Sequence, residues 1–484
     1  MEKTIGHLKP ERVWQYFEEI CQIPRPSKKE EKIAAYLVAF AKKHHLDYIQ
    51  DKAGNVLIRK EASKGMENKP WVVLQSHMDM VCEKNSDVNF NFDTDAIVPR
   101  IDGQWVRATG TTLGADDGIG VALQLAILES DAIQHGPIEC LFTVDEETGL
   151  TGAFALDREL LKSRILLNLD SEDEGELFIG CAGGKDTVAT FDLIKDKPIA
   201  NGKAFRIQVN GLTGGHSGDD INKGRGNANK VLNRILFGGH INHGLQLSNI
   251  DGGNLRNAIA REAFAEVVIP EPQINEFKKF FSLLAADIVN EQKTNEPDLK
   301  ITLEPCNMPQ WVMEVGLQEQ LVYSLYACPH GVIAMSPDIP GLVETSTNLA
   351  SIKIREDKII VSTSQRSSVE SSKEDICNMV ANVFHLAGAA VKQGDGYPGW
   401  KPDVNSKVMN ITRNAYKKLF GQEPKVLAIH AGLECGLIGE KYPGMDMISF
   451  GPTIKGAHSP VEGIQIDTVQ KFYDLTLEVL KAIE

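Results

Sequence analysis

His77 and Asp79, in the run Trp71-Val-Val-Leu-Gln-Ser-His-Met-Asp-Met80, are the residues of this chain best placed to do chemistry. An apolar segment that reads as a buried strand ends there in an imidazole and a carboxylate two residues apart. Side chains alternate faces along a strand, so both point to one side. Acidic residues recur at the ends of further apolar segments, as Asp116-Asp117, Glu146-Glu147 and Asp170, and a late His458 completes the set. Singly, each has a plainer reading: Asp116 as a helix N-cap, Glu146 and Glu147 as first-turn acids facing a helix dipole, Asp170 as the start of a solvated acidic run, His458 as a loop residue. It is their joint placement at strand ends that points to one site.

That inventory suits two divalent cations. Zinc takes imidazole nitrogen and carboxylate oxygen, and a catalytic site leaves a position open for water. Two metals roughly 3.5–4 Å apart need a shared carboxylate and can bring the pKa of a water down towards ~7. One more carboxylate must move the proton to the leaving amine, and a histidine ligand wants an acidic partner on its other nitrogen. Five ligands, a base and an orienting aspartate use every residue named but Asp117. Because carboxylate-rich sites also accept cobalt or manganese, zinc is the first expectation and these the alternatives.

The elements that position these groups alternate. Strands are expected at Val72–Leu74, Ile138–Val144 and Ile165–Leu169, with helices at Asp117–Leu128 and Gly152–Leu161 between them. Upstream, helices are expected over Glu11–Ile23 and, capped by Ser27, to about His44. This strand–helix rhythm implies a mainly parallel sheet with helices on both faces, and ligands then gather beyond the carboxyl ends of its strands. From Gly180-Cys-Ala-Gly-Gly184 the pattern shifts towards antiparallel strands with long helices, and the first rhythm returns after Tyr397-Pro-Gly-Trp400. The expectation is an α/β catalytic domain made of residues 1–183 and 399–484, with an α+β lid domain, 184–398, inserted in its middle. Two helix-plus-strand sets fit within the insert, a faint sign of internal duplication.

Length and composition bound the rest. A chain of 484 residues is too long for a single core. Its net charge of −15 argues against a nucleic-acid partner, which needs clustered Lys and Arg. The N-terminal stretch lacks a basic-then-apolar leader pattern, no run approaches a membrane span, and the eight cysteines are scattered without a C-x-x-C pair. A cytoplasmic protein with reduced thiols is expected. Gly224-Arg-Gly226 and Gly110-Thr-Thr-Leu-Gly114 make no phosphate cradle, and Gly215-His-Ser-Gly218 makes no G-x-S-x-G nucleophile elbow.

The stretches Ser76-His-Met-Asp79, Gly114-Ala-Asp-Asp-Gly118, Asp145-Glu-Glu-Thr-Gly149, Asn168-Leu-Asp170 and Ala457-His-Ser-Pro460 together resemble, in order and spacing, the cocatalytic zinc peptidases related to carboxypeptidase G and the aminoacylases. Length and lid segments look most like the branch that cleaves aminoacyl-histidine dipeptides, over essentially the whole chain. The resemblance implies that Asp116 bridges two metals, that His77 and Asp170 complete one metal site, and that Glu147 and His458 complete the other. Glu146 would be general base and then acid, Asp79 would orient His77, and the Asp116–Asp117 peptide would be cis.

From the lid the resemblance implies His216 as an oxyanion stabiliser, with Asn257 and Arg366 contacting substrate, the arginine through the C-terminal carboxylate; read as residues alone, His216 is a turn residue and Arg366 a partner of Glu370. The family's asparagine-isoleucine-proline pattern appears here as Asn257-Ala-Ile-Ala260, without the proline. His430-Ala-Gly-Leu-Glu434 matches a segment that often ends in aspartate, and Glu434 is given no role. The activity implied is hydrolysis of dipeptides, Xaa-His (carnosine-like) first and Cys-Gly second. The alternatives are a tripeptidase, a broad dipeptidase or an N-acyl-amino-acid deacylase. Relatives commonly dimerise through the lid, whereas a large lid can also replace a partner subunit.

Overall fold

The computed structural model describes residues 4–484, which fall into two compact units. The first comprises Met1–Cys181, Trp400–Ala428 and Leu433–Glu484; the second comprises Ala182–Gly399 with Ile429–Gly432. The short excursion 429–432 differs from the boundaries expected from sequence. Its cause is local: the Ala182 N–H donates to the carbonyls of both Ile429 and Ala431, and His430 Nε2 lies 2.7 Å from Ser346 Oγ.

An eight-stranded mixed sheet organises the first unit. At its centre Ile138–Thr143, Val72–His77, Ile165–Asn168 and Asp446–Ser449 run parallel. Antiparallel strands flank them, Val56–Lys60 and Asp47–Gln50 on one side and Glu176–Cys181 on the other, and Lys425–Ile429 closes the order. Val72–His77 and Ile138–Thr143 are buried along their whole length, as strands covered on both faces must be. The helix Ala115–Glu129 is apolar on nearly every side and buried from Gly118 to Leu128. The helix Glu11–Cys21 buries the stripe Val13, Trp14, Tyr16, Phe17, Ile20 and Cys21, the spacing of one helical face.

Two expected elements differ. The helix read over Gly152–Leu161 is the single turn Thr151–Ala155, after which Leu156 is extended. The carbonyls of Phe154 and Leu156 are taken by Lys441 Nζ, and that of Asp157 by the Tyr442 hydroxyl, so the next helical turn is given up to a neighbouring element. Ser27 caps no helix. The second helix begins at Glu31 without a side-chain cap, because Pro26 bridges to Met80 and holds this stretch beside the end of the His77 strand.

The second unit is built on a nine-stranded sheet whose two halves meet where Gln246–Gly252 pairs with Val343–Arg355. One half carries the helices Ala228–His243 and Ile274–Gln292 and the other Glu370–Leu386, while Val315–Ala327 packs against Ala228–His243 and touches Glu370–Leu386. All four contribute to a single apolar core that includes Leu232, Phe277, Leu321 and Phe384.

Candidate metal centre

The carboxyl ends of the central strands carry three of the five candidate ligands, with Glu146 beside them. His77 is the last residue of its strand, Asp170 stands two residues beyond Ile165–Asn168, and Glu146 and Glu147 open a short turn after Ile138–Thr143. Asp116 sits at the mouth of Ala115–Glu129 with non-helical dihedrals, and the Asp116–Asp117 peptide is cis. His458 comes from the loop before Gly463–Gln465.

These groups converge. Asp116 stands between two imidazoles, Oδ1 at 3.2 Å from His77 Nε2 and Oδ2 at 3.2 Å from His458 Nε2. Asp170 Oδ1 is 3.4 Å from His77 Nε2, and Glu147 Oε2 is 3.1 Å from His458 Nε2. Two sets of donors result, His77–Asp116–Asp170 and Asp116–Glu147–His458, each with its donor atoms within 4.8 Å of one another and sharing Asp116. Glu146 lies in a third such group with His77 and Glu147.

This donor set fits cations. Each imidazole nitrogen faces two carboxylate oxygens, but a ring N–H can serve only one acceptor. Glu147 Oε1 is moreover buried with no hydrogen-bond partner. Nitrogen and carboxylate oxygen in this mixture are what zinc, and also cobalt or manganese, accept.

The protonation equilibria report the same crowding of negative charge. Burial alone would lower the His77 pKa, but Asp170, Asp116 and Asp79 drive it well above its ordinary value. His458, hydrogen-bonded to Asp116 and Glu147, is pushed up to about 11. Burial would raise Asp116, and the two imidazoles instead hold it far below the usual carboxylate range. Glu146 moves the other way: burial, with Asp170, Glu147 and Glu434 nearby, raises it well above 4.5 against the pull of His77. A carboxyl raised in this way holds its proton more tightly than a free one.

Asp79 ties the cluster together. Its Oδ1 is 3.3 Å from His77 Nδ1, and its carboxylate accepts from the backbone N–H of Glu146 and Glu147 at 3.1 and 3.2 Å and from Ser27 Oγ at 2.7 Å. One side chain therefore lies against an imidazole and accepts from the turn that carries two acids.

Within the second unit, Ser217 connects the other three residues singled out from sequence. Its N–H donates to the Asn257 carbonyl at 2.8 Å, its Oγ is 3.4 Å from Arg366 Nε, and it follows His216 directly. The His216 ring faces Asp219 at 3.4 Å and accepts from the Gly218 and Asp219 amides. Arg366 is buried and donates to the Tyr397 hydroxyl at 3.1 Å, while Glu370 pairs with Lys373, so the expected alternative of an Arg366–Glu370 pair is replaced. Nearby, burial and then the Arg366 charge lower the His430 pKa to about 4, keeping that ring neutral.

Several further residues support the cluster from behind. Glu434 is fully buried, accepts from Gln75 Nε2 and Thr143 Oγ1 at 2.6 Å each, and is raised by burial to about 7. From Gln75 the bonding continues through Asn168 and Ser449 to Ser171, a polar row across the strand ends beneath the ligands. Arg25 and Glu462 grip the backbone near Asp79 and Asp116. In the sequence, Glu434 is marked by the segment His430-Ala-Gly-Leu-Glu434, while Arg25 and Glu462 stand out only as charged residues close to candidate ligands.

Known proteins resemble this chain over nearly its whole length. The sequence pattern of peptidase family M20/M25/M40 matches residues 73–482. The chain is 42% identical over 479 residues to the cytosol non-specific dipeptidase of Escherichia coli (strain K12), covering 99% of each. Among solved structures it resembles the aminoacylhistidine dipeptidase from Vibrio alginolyticus with a TM-score of 0.93 and 47% identity, covering 100% of this chain and 99% of that one. A tripeptidase from Staphylococcus aureus shares the fold alone, at a TM-score of 0.58 and 18% identity over 99% of both chains.

Proposed function

The chain belongs to peptidase family M20/M25/M40, and from that premise we propose that it is a dinuclear metallo-dipeptidase of the cytoplasm that hydrolyses Xaa-His dipeptides. The observation that carries the reading is Asp116 standing between His77 and His458, with Asp170 and Glu147 completing the two donor sets. Bound there, two divalent cations, zinc first, would polarise the scissile carbonyl and acidify the attacking water.

The chain's own residues do the remainder. Glu146, with its raised pKa, takes the proton from the attacking water and returns it to the departing amine. Asp79 keeps the Nδ1 side of His77 engaged, so that Nε2 faces Asp116 and Asp170. From the inserted domain, 184–398, His216 is assigned to the oxyanion that develops at the carbonyl. Arg366 is assigned to the C-terminal carboxylate, which matches a planar guanidinium, and Asn257 to the substrate backbone. Support for the last two is their junction at Ser217 and, among the described residues, the absence of a carboxylate from the hydrogen bonds of buried Arg366.

Two relatives bear different names, one non-specific and one aminoacylhistidine, and this makes a broad dipeptidase the second reading. A panel of Xaa-His, Xaa-Gly, Cys-Gly, tripeptide and N-acetyl-amino-acid substrates, run with and without a chelator, tests both. Xaa-His turnover that a chelator abolishes and zinc restores is expected. Equal rates on Xaa-Gly would favour the broad reading, and chelator-insensitive cleavage would dismiss the metal mechanism.

A further inference from the structure

Glu462 lies four residues beyond His458, is 2% exposed, and points at backbone rather than at any side-chain cation. Its carboxylate accepts the N–H groups of Leu113 at 2.7 Å, Gly114 at 3.0 Å, Ala115 at 2.7 Å and Asp116 at 3.4 Å. Four consecutive amides at the mouth of a helix, which no helical bond can satisfy, thus converge on one buried anion. The last of them belongs to the carboxylate shared by both donor sets.

The carbonyl side of the same loop is held by the opposite charge. Buried Arg25 donates to the carbonyls of Met78 at 3.0 Å and Asp79 at 2.7 Å, and through Nη2 to that of Gly114. Gly114 adopts φ +70°, and a Cβ there would stand 2.5 Å from Arg25 Nη2 and 2.9 Å from Met80 Sδ, so the guanidinium requires glycine at this position. Ahead of the loop, Thr112 Oγ1 donates to the Val81 carbonyl at 2.8 Å, and its N–H to that of Glu83 at 2.9 Å.

We propose that Glu462 is a positioning residue for the metal pair: by gathering the 113–116 amides it fixes the backbone that aims Asp116 at both cations, and it couples that aim to the loop bearing His458. Arg25 does the complementary work, locking the same loop to the His77–Asp79 turn. The inference rests on the dinuclear-peptidase reading of this site and adds to it a residue that touches neither metal nor substrate. An ionised carboxylate is required, because its two oxygens offer enough acceptor sites for four donors and its charge strengthens each bond. A glutamine would present one acceptor oxygen and turn an NH2 against the other amides.

The test compares full-length wild type with E462Q in three measurements: zinc affinity by chelator competition, kcat and KM at saturating zinc, and hydrogen exchange of the peptide spanning 112–116. Zinc binding about 10- to 100-fold weaker is expected, the usual scale for losing a partner behind a ligand. Turnover should fall with KM within about twofold, since substrate binding does not use this residue, and the 113–115 amides, protected in wild type, should exchange faster in the variant. A variant that only loses melting temperature, with zinc affinity and kcat kept, would overturn the proposal. So would wild-type amides at 113–115 that exchange like a free loop, a measurement that needs no variant. A wild type that neither binds zinc nor cleaves dipeptides would remove the proposed function instead, and the exchange pattern would still decide whether Glu462 anchors the loop.

Discussion

Replacing Glu434 by glutamine should stabilise the protein at alkaline pH and leave it unchanged near pH 4.5. The carboxyl is fully buried, and burial raises it from 4.5 to about 7 in spite of hydrogen bonds from Thr143 and Gln75 and the charge of His77. The native state therefore keeps a proton that the unfolded chain releases at about 4.5. Between those values the native state binds more protons, and stability falls as pH rises through the window. At about 1.4 kcal/mol per pKa unit, the cost reaches at most about 3 kcal/mol above pH 7.

Glutamine escapes that cost while its carbonyl oxygen accepts the same two donors, and its NH2 takes the place of Oε1, which has no partner. For a domain of this size the difference corresponds to roughly 6–12 °C in Tm. The assay is thermal melting of wild type and E434Q from pH 4.5 to 8.5 in chelator, so that metal–proton linkage does not contribute. The Tm of the variant should pull ahead of wild type progressively between pH 5 and 7.5. Parallel curves, or a variant that falls behind at pH 8, would refute the assignment of the buried proton to Glu434.

Three further outcomes follow from the site. Glu146→Ala should lower turnover by about 10²–10⁴, the range for a lost general base, while elemental analysis finds metal content as in wild type. Asp79→Asn, which weakens the hold on His77 and on the Glu146 and Glu147 amides, should weaken zinc binding about 10- to 100-fold in chelator competition. Arg366→Lys should raise KM for dipeptides roughly 10- to 100-fold, the scale of one charged hydrogen bond, with no effect on substrates whose C-terminus is amidated.

Much of the site was legible because local burial has a period. Val72–His77 and Ile138–Thr143 read as buried strands from their apolar runs, and the acids and histidines that interrupt those runs stood out as groups a strand would not bury without cause. The types of donor, their placement at strand ends and the family resemblance were all present in the residues. What the residues could not carry was any bond between groups far apart in the chain, least of all one to backbone. Glu462 grips amides 346 to 349 positions earlier, and Ser27 turns from a helix cap into a partner of Asp79 52 positions away.

The same limit explains the helix that stops at Ala155, whose following carbonyls are claimed by Lys441 and Tyr442, and Arg366, which meets Tyr397 instead of the nearer Glu370. A backbone amide is the same group in every residue, so a contact to it leaves no mark on sequence spacing. The sequence by itself determined which side chains are candidate ligands and that His77, Glu147 and Asp170 lie at or just beyond the ends of apolar strands. Only the tertiary structure decided which neighbours hold them in aim, because that choice is made by hydrogen-bond geometry between segments that folding brings together.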